Sequence, residues 1–303
     1  MGRLAFVEVG RLRPHEEVVE ELVGSIMNDL LSTGRLLHPI VVEESHGMIL
    51  DGSHRFEALR RLGAKRILAY TVDYFSEEVE LKAWYRVIDR RYGIEDVLEA
   101  LRSSLNAVFE RSSLEDGLEA VRRRRGAVLL LVHGSEVAYL MPFGASGVDL
   151  LFREVARVDE ALRRFGIRYN TEANVISGVR SGVIKLGYAV PVLEKREVVD
   201  AVMRGKRFPP KSTRHLVHGR LLYTLTPLEV ITTEDESIRE QFLKDLMSAE
   251  TVSLGPGYFI DRFYEERIRV VVHRGLRDVP YTPEISELIR LRSEGTLHNE
   301  SID

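Results

Sequence analysis

Cysteine is absent from all 303 residues, which excludes thiol nucleophiles, disulfides, zinc–thiolate sites and dithiol redox relays. Tryptophan occurs once, at Trp84, glutamine once, at Gln241, and asparagine five times. Few thermolabile amides beside abundant Arg and Glu is the pattern of heat-adapted proteins and points to a thermophilic source. No apolar run approaches the roughly 18 residues of a membrane span, and the opening MGRLAFVEVGRLRP lacks the apolar stretch of a signal peptide. A cytoplasmic protein with no membrane partner is therefore expected. Positive charge is not in excess either. Lys and Arg number 43 against 47 Asp and Glu, a net charge of −4, so there is no global electrostatic footprint for nucleic acid. What is present is a globular balance, 44% hydrophobic and 30% charged, in a chain long enough for one large domain or two ordinary ones.

Residues 4–9 read as a strand. Arg13-Pro14 reads as the opening of a helix, because a first-turn proline has no N–H to lose. Glu16, Glu17, Glu20 and Glu21 would then complement the positive end of that helix. Val18, Leu22, Ile26 and Leu30, with Val19, Val23, Met27 and Leu31, recur at i+4 as a buried stripe that ends near Gly34. Residues 39–43 and 48–50 read as a hairpin, and Asp51-Gly52-Ser53-His54-Arg55 then leads into a helix with Phe56, Leu59 and Leu62 on one face. Residues 67–72 form another strand. From residue 95, helices (95–105, 114–125, 150–165, 171–182, 196–205) alternate with strands (127–132, 136–141, 183–191). A basic two-proline loop, residues 206–215, follows. After residue 232 come an acidic link, a helix to 249, a Gly-Pro-Gly turn, a strand near 268–272 and a helix from Pro283. The class expected is α/β (α+β): an N-terminal domain over residues 1–94, a second α/β domain over 95–231, and a C-terminal extension over 232–303.

Four features could carry chemistry. In Asp51 to Arg55, a glycine turn feeding a helix start offers backbone N–H groups and a positive dipole end to an anion. His54 and Arg55 add charged donors, and Asp51 is placed to hold Mg²⁺ or orient a second group. The plainer alternative is a helix capped by Ser53, with solvated His54 and Arg55. In Arg13-Pro14-His15-Glu16-Glu17, an acid either complements the helix dipole or serves as a general base. Lys211-Ser212-Thr213-Arg214-His215 is dense in donors: it is a grip for a carboxylate or phosphate, or a solvated loop. Trp84 is core or ligand contact. The run Arg122 to Arg125 reads as a solvated surface, and His38, His46, His133, His273 and His298 have no metal-ligand spacing.

Taken together, PHE near the N-terminus, DGSHR after a hairpin, DYFSEEV followed by WY, and KSTRH after a proline loop resemble, in order and spacing, the archaeal free L-serine kinases of the ParB/sulfiredoxin-like fold group. The likeness runs from residue 1 to about 230. It implies a kinase that transfers a phosphoryl group from ADP or ATP, with Mg²⁺, to the hydroxyl of L-serine. The product would be O-phospho-L-serine for cysteine synthesis. By position it implies Glu16 as catalytic base and Asp51 as the acid beside the transferred phosphoryl. Gly52, Ser53, His54 and Arg55 become the phosphate-binding turn, and Trp84, Lys211, Thr213, Arg214 and His215 surround serine in a cleft between domains. Ser53 stands where some relatives carry histidine, and residues after 231 lie outside the resemblance. The sulfiredoxin reaction needs a cysteine that this chain lacks. A ParB-like, nucleotide-dependent DNA-binding partition or regulatory protein is the alternative; it would follow the turn with a helix-turn-helix reader, where this sequence alternates helices and strands.

Overall fold

The N-terminal segment lays down strands β1 (Arg3–Glu8) and β2 (Arg13–Pro14), helix α1 (Glu20–Thr33), strands β3 (Arg35–Leu36), β4 (Ile40–Glu43) and β5 (Met48–Asp51), helix α2 (Ser53–Arg61) and strand β6 (Arg66–Val72). Residues 2–144, 147–274 and 279–293 are described by the structure, a computed structural model; His298 lies outside them. A five-stranded sheet has the order β1-β6-β4-β5-β2. Within it β4 runs parallel to β6 and β2 parallel to β5, while β1/β6 and β4/β5 are antiparallel. Residues 40–43 and 48–50 are buried throughout, as befits central strands read as continuous apolar runs. Val23, Leu30, Ile40, Val42, Ile49, Phe56, Leu59 and Ile67 make the core beneath.

The first helix starts seven residues later than Arg13-Pro14 suggests. Proline's fixed φ suits a strand edge as well as a helix start, and here ladder pairing wins: Arg13 and Pro14 align with Met48 and Ile49. The apolar stripe of α1 is also narrower than its i+4 series implies, with Val23 and Leu30 buried but Leu22 and Leu31 exposed. Gly34 ends the helix in the left-handed region, as expected of a glycine stop.

Two compact units emerge, residues 1–80 with 215–303, and residues 81–214. This differs from the three-part division read from the sequence. The reason is a ladder: Arg220–Leu222 pairs in parallel with Ile268–Val271, which pairs antiparallel with Thr251–Leu254. The C-terminal residues therefore build the first unit rather than trailing from it. Leu222, Tyr223, Val252, Leu254, Tyr264, Ile268, Val270 and Ile285 form its second core, and Phe242 of the helix Glu236–Ser248 meets Phe6 edge-on.

The other unit is an antiparallel six-stranded sheet, in order Arg168–Asn170, Tyr85–Val87, Leu186–Ala189, Gly126–Val132, Ala138–Pro142 and Glu110–Ser112. Its helices are Ile94–Leu105, Leu114–Arg122, Val148–Ala161, Glu172–Ser181 and Lys195–Met203. Arg214, placed in a loop by the sequence reading, instead opens the strand Arg214–Val217. Among the described residues no helix is long and apolar enough to cross a membrane.

Candidate active site

Parallel pairing of β2 with β5 brings two acids to one sheet end. Pro14 aligns with Ile49, and Glu16 and Asp51 each stand two residues beyond. The join is fastened by His15, whose Nδ1–H donates to the Ile49 carbonyl at 2.5 Å. The other ring nitrogen, Nε2, lies 3.7 Å from Glu16 Oε1. His15 meets the His215 ring edge-on, centroids 5.0 Å apart, and His215 Nε2 is hydrogen-bonded to the Tyr74 hydroxyl at 2.9 Å. Glu16, 16% exposed at its side chain, thus borders a buried row of rings. Burial, aided by the Glu43 carboxylate, raises the Tyr74 phenol above its ordinary range, so it stays protonated. Tyr74 lies in the DYF motif, yet no role was assigned to it from sequence. The structure brings His215 to Glu16 through His15.

The turn after β5 is built on Gly52, at φ 96°. A Cβ there would meet Ile40 Cγ2 at 2.8 Å and the Arg55 guanidinium at 3.0 Å, so only glycine fits. Gly52, not Ser53, stands at the N-cap, and no side chain caps the helix. Ser53 is instead its buried first residue. The positive end of α2 is left to backbone amides, the arrangement that receives anions. His54 and Arg55 are less loose than a solvated pair. His54 Nε2 accepts the Val19 N–H at 3.0 Å, tying the start of α1 to the turn. Arg55 Nη1 donates to the carbonyls of His38 and Pro39 at 3.1 and 3.0 Å, and Nη2 faces Asp51 at 3.4 Å. A two-pronged grip on phosphate by Arg55 would have to use its remaining edge.

Asp51 is the centre of a charge cluster the sequence reading missed. Arg220, 1% exposed, is ion-paired to it, and Arg220 Nη1 lies 3.5 Å from Glu266, itself fully buried. Arg262 bonds the same Glu266 oxygen at 2.5 Å and sits 4.1 Å over the Tyr264 ring. The Tyr264 hydroxyl donates to Asp261 at 2.8 Å. Burial alone would raise the Asp51 carboxyl. The guanidiniums of Arg220, Arg55 and Arg262 outweigh it and hold the group well below the ordinary carboxylate range. His38 responds the opposite way: burial pushes its imidazole down to about 3, and neutral Nδ1 accepts the Tyr223 N–H at 2.9 Å. Because guanidiniums already occupy Asp51, and no three His, Asp or Glu side chains group as a metal site among the described residues, these residues do not make a resident Mg²⁺ site. A Mg²⁺ carried by nucleotide phosphates belongs to the substrate.

The remaining candidates lie in the other unit. Trp84 is half-buried and carries two cations: Lys211 Nζ is 5.2 Å and the Arg214 guanidinium 5.4 Å from its ring centroid. Arg214 also donates to the Ala83 carbonyl at 3.3 Å, and Ser212 to the Pro209 carbonyl at 2.7 Å. Thr213 is buried. Lys211 adopts φ 63°, an uncommon conformation for a side-chain-bearing residue and one found where structure holds a group in place. Trp84 thus serves as a platform for donors rather than as buried core.

No protein-family model matches the chain. A ParB-like protein of Sulfolobus acidocaldarius is 31% identical over 216 residues, 71% of this chain and 92% of that protein. The ADP-dependent L-serine kinase SerK of Thermococcus kodakarensis is 27% identical over 227 residues, covering 70% and 86% of the two chains. An ATP-dependent L-serine kinase of Staphylothermus marinus is 26% identical over 227 residues, covering 74% and 89%. Among solved structures, a free serine kinase in complex with AMP superposes with a TM-score of 0.61 at 24% identity, over 76% of this chain and 93% of that one. That likeness speaks for the fold. With nearly all of a 31%-identical relative covered, the chain belongs to the ParB-like protein family, among relatives that include L-serine kinases.

Proposed function

We propose that the chain is a nucleotide-dependent L-serine kinase. Glu16 removes the proton of the serine hydroxyl, whose Oγ attacks the terminal phosphorus of the donor. The bond from that phosphorus to its bridging oxygen breaks, and the products are O-phospho-L-serine and a nucleotide shorter by one phosphate. Such transfers depend on positioning and on neutralising charge rather than on covalent catalysis. The observation that carries this reading is the parallel pairing of Pro14 with Ile49, each two residues before an acid, Glu16 and Asp51, beside the uncapped positive end of α2. Amides of Gly52, Ser53, His54 and Arg55 receive the donor phosphates. The two cations held on the Trp84 ring, Lys211 and Arg214, suit the carboxylate of an amino acid, with Thr213 beside them in the chain. The named relatives use ADP in one case and ATP in another, so both are donors to test. Phosphoserine made in this way would serve cysteine synthesis, in the cytoplasm.

The test is consumption of ADP or ATP, each supplied with Mg²⁺, in the presence and absence of L-serine, with phosphoserine followed by phosphorus NMR. Serine-dependent product supports the reading; nucleotide turnover indifferent to serine, or none with either donor, overturns it. Salt-sensitive DNA binding without turnover would instead favour a ParB-like regulator.

A further inference from the structure

Four residues of one short C-terminal stretch, Asp261, Arg262, Tyr264 and Glu266, converge on the residue that opens the phosphate-binding turn. Glu266 is fully buried, an unusual place for a carboxylate, and it touches two guanidiniums: Arg220 at 3.5 Å and Arg262 at 2.5 Å. Arg220 is buried as deeply and is ion-paired on its other side with Asp51. Its ring neighbour is Tyr264, 5.6 Å away at the centroid, and the same ring lies under Arg262. The hydrogen bonding of Arg220 is otherwise sparse, since Nε and Nη1 have no hydrogen-bond partner, as is true of Glu266 Oε2. Charge and the Tyr264 ring, rather than a full set of directional bonds, therefore fix this guanidinium. Three cations (Arg55, Arg220, Arg262) meet three acids (Asp51, Asp261, Glu266), so the cluster balances only with the C-terminal members counted.

We propose that residues 258–268 are a positioning element of the catalytic turn: Glu266, backed by Arg262 and Tyr264, sets the guanidinium of Arg220 that in turn holds the Asp51 carboxylate against the start of α2. The idea rests on the kinase reading for its consequence, since Asp51 matters most if phosphate is handled at that turn. Glu266 acts through Arg220 and is a positioning residue. A misplacement of about 1 Å at the reacting centre costs on the order of 10²-fold in rate, and that is the scale expected when the anchor is lost.

The full-length chain is tested as Glu266→Gln and Glu266→Asp, with exposed Arg274→Ala, an ion-pair partner of Glu250, as a control in the same extension. Expected for Glu266→Gln is a loss in kcat on the order of 10²-fold with the KM for serine moved only a few-fold, recovery of at least a tenth of the rate in Glu266→Asp, and no change in Arg274→Ala. Hydrogen–deuterium exchange gives a readout independent of activity: amides of residues 51–56 should exchange faster in Glu266→Gln while those of residues 85–132 hold steady. If wild type makes no phosphoserine, the kinase reading fails, yet the exchange pattern still decides the positioning claim. Should Glu266→Gln not fold, Arg262→Gln at the partly exposed rim takes its place, with about a tenfold fall in kcat and the same exchange signature. A kcat within threefold of wild type together with unaltered exchange at residues 51–56 overturns the proposal, as does an equal loosening of every region.

Discussion

Two carboxylates at the same sheet end live in opposite surroundings. Glu16 borders a row of rings, His15, His215 and Tyr74. Asp51 stands among three guanidiniums that hold it ionised far below the ordinary range. A carboxylate so held is a poor proton acceptor near neutral pH, because accepting a proton would forfeit its attraction to each cation. On the proposed kinase reading the contrast divides the labour: Asp51 is a fixed charge among the arginines of the turn, and the hydroxyl proton is assigned to Glu16. The pattern, two acids with two roles set by their environments, recurs where one site runs both base and electrostatic chemistry.

The sharpest way to break this division is to neutralise each acid in turn. Glu16→Gln should lower serine-dependent turnover by roughly 10² to 10⁴, the usual contribution of a general base, with an unchanged melting temperature. A rate within a few-fold of wild type would move the base elsewhere. Next in size is an effect on stability. Arg220→Met removes a buried cation while leaving Glu266 buried, and breaking such a pair from one side costs about 3–5 kcal/mol, to be read from urea midpoints. A cost under about 1 kcal/mol would show that the cluster is solvated and that Asp51 is not held as argued.

The backbone of the turn was legible in the residues, because it follows from local grammar. The hairpin before Asp51, the glycine at the turn and the helix after it all follow from short-range rules. Pro14 misled, because proline's φ fits both a helix start and a strand edge, and only the long-range partner Ile49 selects between them. The Asp51 cluster was illegible for a related reason. Arg220 meets Asp51 across 169 positions, and buried Glu266, with Arg262 bonded to it, reaches Arg220 only because the ladder between Arg220–Leu222 and Ile268–Val271 brings the two segments together. Charge of that kind has no period and no motif. Its one sequence cue was Arg220 itself, five residues after the KSTRH motif.

His38 offers a test of how dry the Asp51 side is. Its imidazole is held neutral, with a value of about 3 in the folded protein against about 6.5 when unfolded. The unfolded chain then binds the extra proton anywhere between those values. Stability contributed by this group is complete above about pH 6.5 and is lost as pH falls toward 3, at up to about 1.4 kcal/mol per unit. His38→Phe should flatten the fall in urea midpoint between pH 6.5 and pH 4.5. A slope there identical to wild type would mean that His38 is hydrated and takes a proton in the folded state.

The smallest expected effect lies on the other side of the comparison. Tyr74→Phe keeps the ring and deletes the hydroxyl bonded to His215, which costs about 0.5–1.5 kcal/mol for one neutral hydrogen bond. If the row of rings merely fills space, turnover should follow stability and stay near wild type at temperatures well below the melt. If His215 must hold His15, and His15 must hold Glu16, kcat should fall several-fold while the urea midpoint moves little, and His215→Asn should reproduce that fall without adding to it in the double variant. Additive losses would separate the tyrosine from the base.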